Sequence, residues 1–290
     1  MKFGVREICD VVFKAKATVK IGNTTFQKGQ PVLYIDTAKT SNLEATATTV
    51  YATGGRGNAR LIAWEGEKTL TFTVEDALLS PMGFAMLSGA GLIDAKKDAK
   101  TIIVHNTTYA TANVDGVIDL TEALGGAEVD TTKALFVLST EADGSLSTFV
   151  NEAYDYAGGK LTPNEESGAN APKNATVFVD YYTKKTDGAM QFEIDGANFA
   201  GYYYVEAATL WRRQDNGKDM PAELIFPNVK IQSNFTFAMA STGDPSTFTF
   251  TMDAMPGYTV YDQTKKVLCA IQVIADTEAE AAGAVDSVKG

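Results

Sequence analysis

The sequence predicts an all-β fold, a sandwich or barrel with one flanking helix near residues 80–90 and an inserted, loop-rich middle region. Three observations carry this. Two-residue alternation recurs, as in "TLTFTVED", where Leu70, Phe72 and Val74 share one face and Thr69, Thr71 and Thr73 the other. The polar side of such stretches is mostly threonine, whose β-branched side chain is stiff and suits a pleated surface. Only two stretches carry the start and stop signals of a helix. With 45% apolar residues, the 290-residue chain can bury a real core in one large domain or two modest ones.

Taken in chain order, "VVFKAKATVKIG" alternates loosely and reads as a strand. "TGGRGNARLIAW", Thr53 to Trp64, places three glycines and two arginines between the runs "LEATATTVYA" and "RLIAWEG". Its spacing fits neither a P-loop, since no G-K-[ST] follows, nor G-x-G-x-x-G, since Arg60 stands where the last glycine belongs. It reads as a flexible, cationic connection. "SPMGFAMLSGAG" reads as a helix, with Ser80 as N-cap, Pro81 at the first position and Gly89 or Gly91 ending it. "TIIVHN" and "KALFVLST" are short strand-like pieces, with a second short helix at "DLTEALGG" between them. "AGGKLTPNEESGANAPKN" reads as a long polar connection. "ATVFVDYY" and "GYYYVEAATLW" are strands, and the Asn-Gly in "DNGKD" signals a hairpin turn. "SNFTFAM" (Phe235, Phe237, Met239) and "STFTFTMD" (Phe248, Phe250, Met252) repeat the strand alternation. "KVLCAIQVIA" is apolar on both sides, which predicts a central or doubly covered strand. The acidic end "DTEAEAAGAVDSVKG" reads as a flexible tail.

The formal net charge of -11 argues against a nucleic-acid-binding surface, which needs clustered Lys and Arg. The opening "MKFGVREICDVVF" lacks the apolar stretch of a secretory signal, and no run of 18 apolar residues predicts a membrane span. Cys9 and Cys269 are expected as reduced thiols. His105 is the only histidine, which removes His-pair metal sites and leaves little material for a triad. The carboxylate pairs Glu75–Asp76, Glu165–Glu166 and Asp215 with Asp219 read as solvated or turn positions, although converging carboxyls are what a glycosidase requires. No catalytic residue, cofactor or metal is expected.

Two segments, "ATGGRGNARLIAWEGEKTLTFTVEDALLSPMGFAMLSGAG" and "FAGYYYVEAATLWRRQDNGKDMPAELIFPNVKIQSNFTFAMASTGDPSTFTFTMDAMPG", resemble the major tail tube proteins of tailed bacteriophages. The shared pattern is a Gly-rich loop, a strand, a D-A-L-L-S-P helix, then strands around an R-x-x-x-x-G turn and "GDPSTFTF". The middle region departs from the compact form of that family. The resemblance implies a virion protein assembled in the host cytoplasm. Six copies would form a ring, rings would stack, and sheets would close into one multi-subunit barrel around a lumen that passes DNA without binding it specifically. Sheath, baseplate or tail terminator proteins are the further partners it implies. Other readings are a different virion part, a carbohydrate-binding β-sandwich or, last, a hydrolase. The layout expected is residues 1–94 and 176–275 as halves of the tube core, 95–175 as an elaboration or small β domain, and 276–290 as the tail. The interface residues expected are Gly54, Gly55, Arg56, Gly57, Arg60, Arg212 and Arg213. The loop would be extended or disordered in the free subunit and ordered by charge-assisted contacts in the assembly, because its tip offers no large apolar side chain.

Overall fold

A computed structural model describes residues 2–140, 145–151, 153–165, 171–237, 239, 241–242 and 246–274. The chain divides into two compact units, Met1–Leu92 with Phe192–Gly290, and Ile93–Gln191.

The first unit is built on a nine-stranded antiparallel sheet. Its strands are β1 (Phe3–Val5), β2 (Asp10–Ala15), β5 (Pro31–Ile35), β6 (Ala38–Gly54), β7 (Ala59–Asp76), β17 (Tyr202–Arg213), β18 (Asp219–Ile231), β19 (Phe248–Ala254) and β20 (Ala270–Val273). Their order is β5-β2-β17-β18-β19-β7-β6, with β1 on β17 and β20 on β18. A two-stranded ribbon, β3 (Val19–Ile21) and β4 (Thr24–Phe26), precedes β5. The alternation dictates the core. Phe72 and Val74 on β7 and Phe250 and Met252 on β19 are buried, and they meet Phe13 and Phe226. Phe72 stacks on Phe226 at 4.9 Å, and Phe13 lies 5.9 Å from Phe250. Each such side chain contributes roughly 1.5–3 kcal/mol on burial.

Helix α1 (Pro81–Ser88) adds Ala85, Met86 and Leu87 to this core. The Ser80 hydroxyl accepts a hydrogen bond from the Gly83 amide at 2.9 Å, and Pro81 fills the first turn. Gly89 ends the helix at φ 70°, and a Cβ there would lie 2.6 Å from the Phe199 backbone, so this left-handed position admits glycine alone.

The second unit carries seven strands: β9 (Ile102–Ala112), β10 (Ile118–Asp119), β11 (Phe136–Thr140), β12 (Leu146–Asn151), β13 (Tyr154–Ala157), β14 (Lys160–Pro163) and β15 (Ala175–Lys185). They run in the order β12-β11-β15-β9-β10-β14-β13, and helix α2 (Thr121–Leu124) lies between β10 and β11. Ile118, Leu161, Val177 and Val179 form its core. The middle region, expected as a loop-rich elaboration or small β domain, thus holds its own sheet. "ATVFVDYY", placed by the sequence with the tube core, pairs along its whole length with β9 instead. β8 (Gly91–Asp94) and β16 (Met190–Glu193) pair as a two-stranded sheet.

Two expected strands differ. Residues 232–237 form no ladder, and Met239 is 92% exposed. Phe235 and Phe237 instead stack edgewise against each other and against Phe84, so aromatic packing replaces sheet pairing there. "KVLCAIQVIA" yields only the four-residue β20, paired on one side to β18, with Ile271 and Ile274 half exposed. It is an outer strand, since β19 already occupies the adjoining stretch of β18. The tail, 276–290, lies outside the described residues.

Candidate assembly interface

β6 and β7 are 17 and 18 residues long, three times an ordinary strand. β19 pairs with β7 only from Thr71 to Asp76. Past Leu70 the hairpin therefore continues as a ribbon of two strands, registered from Ala45↔Leu70 to Gly54↔Ala59. Nearly every residue on it is exposed. Cross-strand contacts hold the ribbon: Thr46 and Thr69 hydroxyls meet at 2.6 Å, and the Glu67 amide donates to the Thr48 hydroxyl at 3.0 Å.

The register sorts its side chains. Val50 opposes Trp64 and Ala52 opposes Ile62, placing these four on one face. Val50 is 64% exposed, Ile62 55% and Trp64 53%. Tyr51 and Arg60 share the other face, with the guanidinium 4.1 Å above the ring. The register shift between Ala52 and Thr53 leaves Leu61 without an opposite residue, and it too is exposed. The ribbon is thus apolar on one face and open along both edges.

The expected mobile loop is a tight reversal, Gly55–Asn58, between paired residues. Gly55 and Gly57 have φ of 77° and 87°, Asn58 of 51°, and the Asn58 amide donates to the Gly55 carbonyl at 3.2 Å. Glycine and asparagine are the residues that adopt this left-handed backbone at low cost, so the composition encodes a turn. Gly54, Gly55, Arg56, Gly57 and Arg60 come together at this tip. Arg212 and Arg213 do not join them. They end β17, which β18 and β19 separate from the hairpin. Each is engaged within its own turn: Arg212 donates to both carboxylate oxygens of Asp219 at 2.6 Å, and Arg213 pairs with Asp215. Those arginines hold both carboxyls below their ordinary range. The residues sequence reasoning missed are Val50, Leu61, Ile62 and Trp64. The signal for Leu61, Ile62 and Trp64 was the run "RLIAWEG" and for Val50 the run "LEATATTVYA", both read only as flanks of the loop.

Of the other chemical candidates, Glu75, Asp76 and His105 are engaged within the structure. Glu75 accepts from Thr40 and Thr247 hydroxyls, which lower its pKa. Asp76 accepts from the Thr37 hydroxyl and the Leu78 amide. His105 meets Asp180 at 2.9 Å. Glu165 is exposed, and Glu166 lies outside the described residues. Burial pushes the Cys9 thiol up and that of Cys269 to about 11, where thiolate is scarce. Among the described residues no three His, Cys, Asp or Glu side chains are placed to share a metal ion, and no helix is long and apolar enough to cross a membrane.

The main sheet of this all-β protein thus extends beyond its neighbouring strands into a two-stranded arm with an exposed apolar face. The YomU/Tube protein family matches residues 4–267, nearly the whole chain, and the protein belongs to that family of phage tube-like proteins. No curated protein sequence matches it.

Proposed function

We propose that this chain is a virion structural protein, without enzymatic activity, that assembles into stacked hexameric rings forming a phage tail tube. The observation that carries this is the β6–β7 arm. An isolated two-stranded hairpin is marginal in water, and its open edges and exposed apolar face cost free energy until something covers them. A second copy supplies the cover. β5 and β6 are the outer strands of the main sheet, and in a ring each edge pairs with a neighbour so that closure removes both. Membership of a tube family supports the same reading. The charge of -11 suits a channel that repels phosphate and lets DNA slide. Sheath, baseplate or terminator proteins would meet the tube at its surface and ends. Negative-stain microscopy and sedimentation of purified protein test the proposal. Tubes or six-fold rings are expected, and a species that stays monomeric as concentration rises overturns it.

A further inference from the structure

We propose that a concavity of the first unit, walled by the end of β2, the turn before β5, Tyr204 of β17 and the segment after β19, is an oxyanion-binding site. Its volume is about 520 Å³, within the few hundred cubic ångströms that small ligands occupy. Four lysines line it: Lys14, Lys16, Lys28 and Lys266. Glu206 pairs with Lys14. Lys16, Lys28 and Lys266 have no carboxylate partner among the described residues, in a chain where 36 acids outnumber 25 bases. Lys266 instead lies 5.5 Å from the Tyr258 ring centre.

Burial and, after it, the neighbouring Lys28 depress the pKa of Lys16. Tyr204, also on this wall, has its hydroxyl buried beside the Val260 backbone. The loop wall is held in place. Gly257 and Val267 exchange backbone hydrogen bonds at 2.9 and 3.0 Å, and the Asp262 amide donates to the Thr259 hydroxyl at 3.1 Å. Asp262, the carboxylate of this loop, accepts from the amide and hydroxyl of Thr264. A braced concavity with three unneutralised ammonium groups fits a multivalent oxyanion, a phosphate or carboxylate group.

The site does not rest on the tube reading. Titration calorimetry of the full chain with inorganic diphosphate, at ionic strength matched with sodium chloride, is the test. One saturable site per chain is expected, and Lys16→Gln with Lys28→Gln should weaken it by about tenfold or more, as loss of charged hydrogen bonds implies. Lys97→Gln, on the other unit, should bind as the wild type does. Citrate in a parallel titration separates the sources: tighter binding than diphosphate assigns the site to carboxylates, silence assigns it to phosphates, and comparable binding supports a site for multivalent oxyanions of both kinds. No saturable binding of either ion, or equal binding by the double variant at an unchanged melting temperature, overturns the proposal.

Discussion

Phe250 is 1% exposed, against Phe13 and opposite Val74 on the neighbouring strand. Replacing it with aspartate deletes a large apolar group and buries a charge, so Phe250→Asp should lose several kcal/mol of stability. Chemical denaturation reads this, and soluble variant protein with an unshifted midpoint would contradict it. Asp130 is the polar counterpart. Its buried carboxylate accepts from the Thr132 hydroxyl and amide and from Lys184, which together hold its pKa at about 2. A depressed folded-state pKa stabilises the fold above the ordinary carboxylate value near 4, and that stability is lost as pH falls from about 4 through 2. Asp130→Asn should therefore lower the melting temperature clearly at pH 6 and much less at pH 2.5. An equal deficit at both would mean the carboxylate's charge contributes nothing. Buried positions of this kind were legible wherever large apolar residues alternate with threonine, as at Phe72, Val74, Phe250 and Met252. The same alternation misled at Phe235, Phe237 and Met239, because period two specifies faces and leaves unspecified whether a partner strand is within reach.

At the scale of the element, β6–β7 shows how charge and apolar area divide an interface. Exposed arginine pairs contribute about 0–1 kcal/mol each and weaken with salt. Covering Trp64, Ile62 or Val50 contributes roughly 1.5–3 kcal/mol per side chain. The apolar face should dominate. Ile62→Ser with Trp64→Ser is expected to abolish polymer in a sedimentation assay while leaving the melting temperature nearly unchanged, because neither side chain is buried in the subunit. Arg56→Glu should weaken polymerisation less, and raised salt should imitate it in part. Full polymer from the double serine variant would remove the arm from the interface. The arm itself was half legible. "RLIAWEG" carries apolar residues, whereas "LEATATTVYA" is mostly threonine and alanine, with little apolar contrast between its faces. β9 escaped for the same reason: "TIIVHN" is visible, but the strand runs on through "TTYATA" to Ala112.

At the scale of the whole molecule, the sequence placed a boundary near 94, where the chain turns rich in Gly, Ala, Asp, Asn and Thr, and the first compact unit's opening segment runs to Leu92. It set the second boundary at 175, whereas the compact unit runs to Gln191. The difference follows from β15. Its alternating aromatic and valine residues match either core, and only its eleven-residue register with β9 assigns it. The second unit has its own core and ends that meet: the Ala95 amide donates to the Ala189 carbonyl at 3.0 Å. A chain entering and leaving a unit at one point can be shortened there without dragging its flanks apart. Replacing residues 96–188 by Asn-Gly, which favours the tight turn of a two-residue hairpin, would join β8 to β16 and spare every residue of the nine-stranded sheet. If assembly rides on the β6–β7 arm and the sheet edges, the shortened chain should melt cooperatively and still form tubes or rings of the same symmetry under the microscope. A shortened chain that folds, by circular dichroism and a cooperative melt, yet stays monomeric where the full chain polymerises would move the assembly contacts into Ile93–Gln191 and away from the arm.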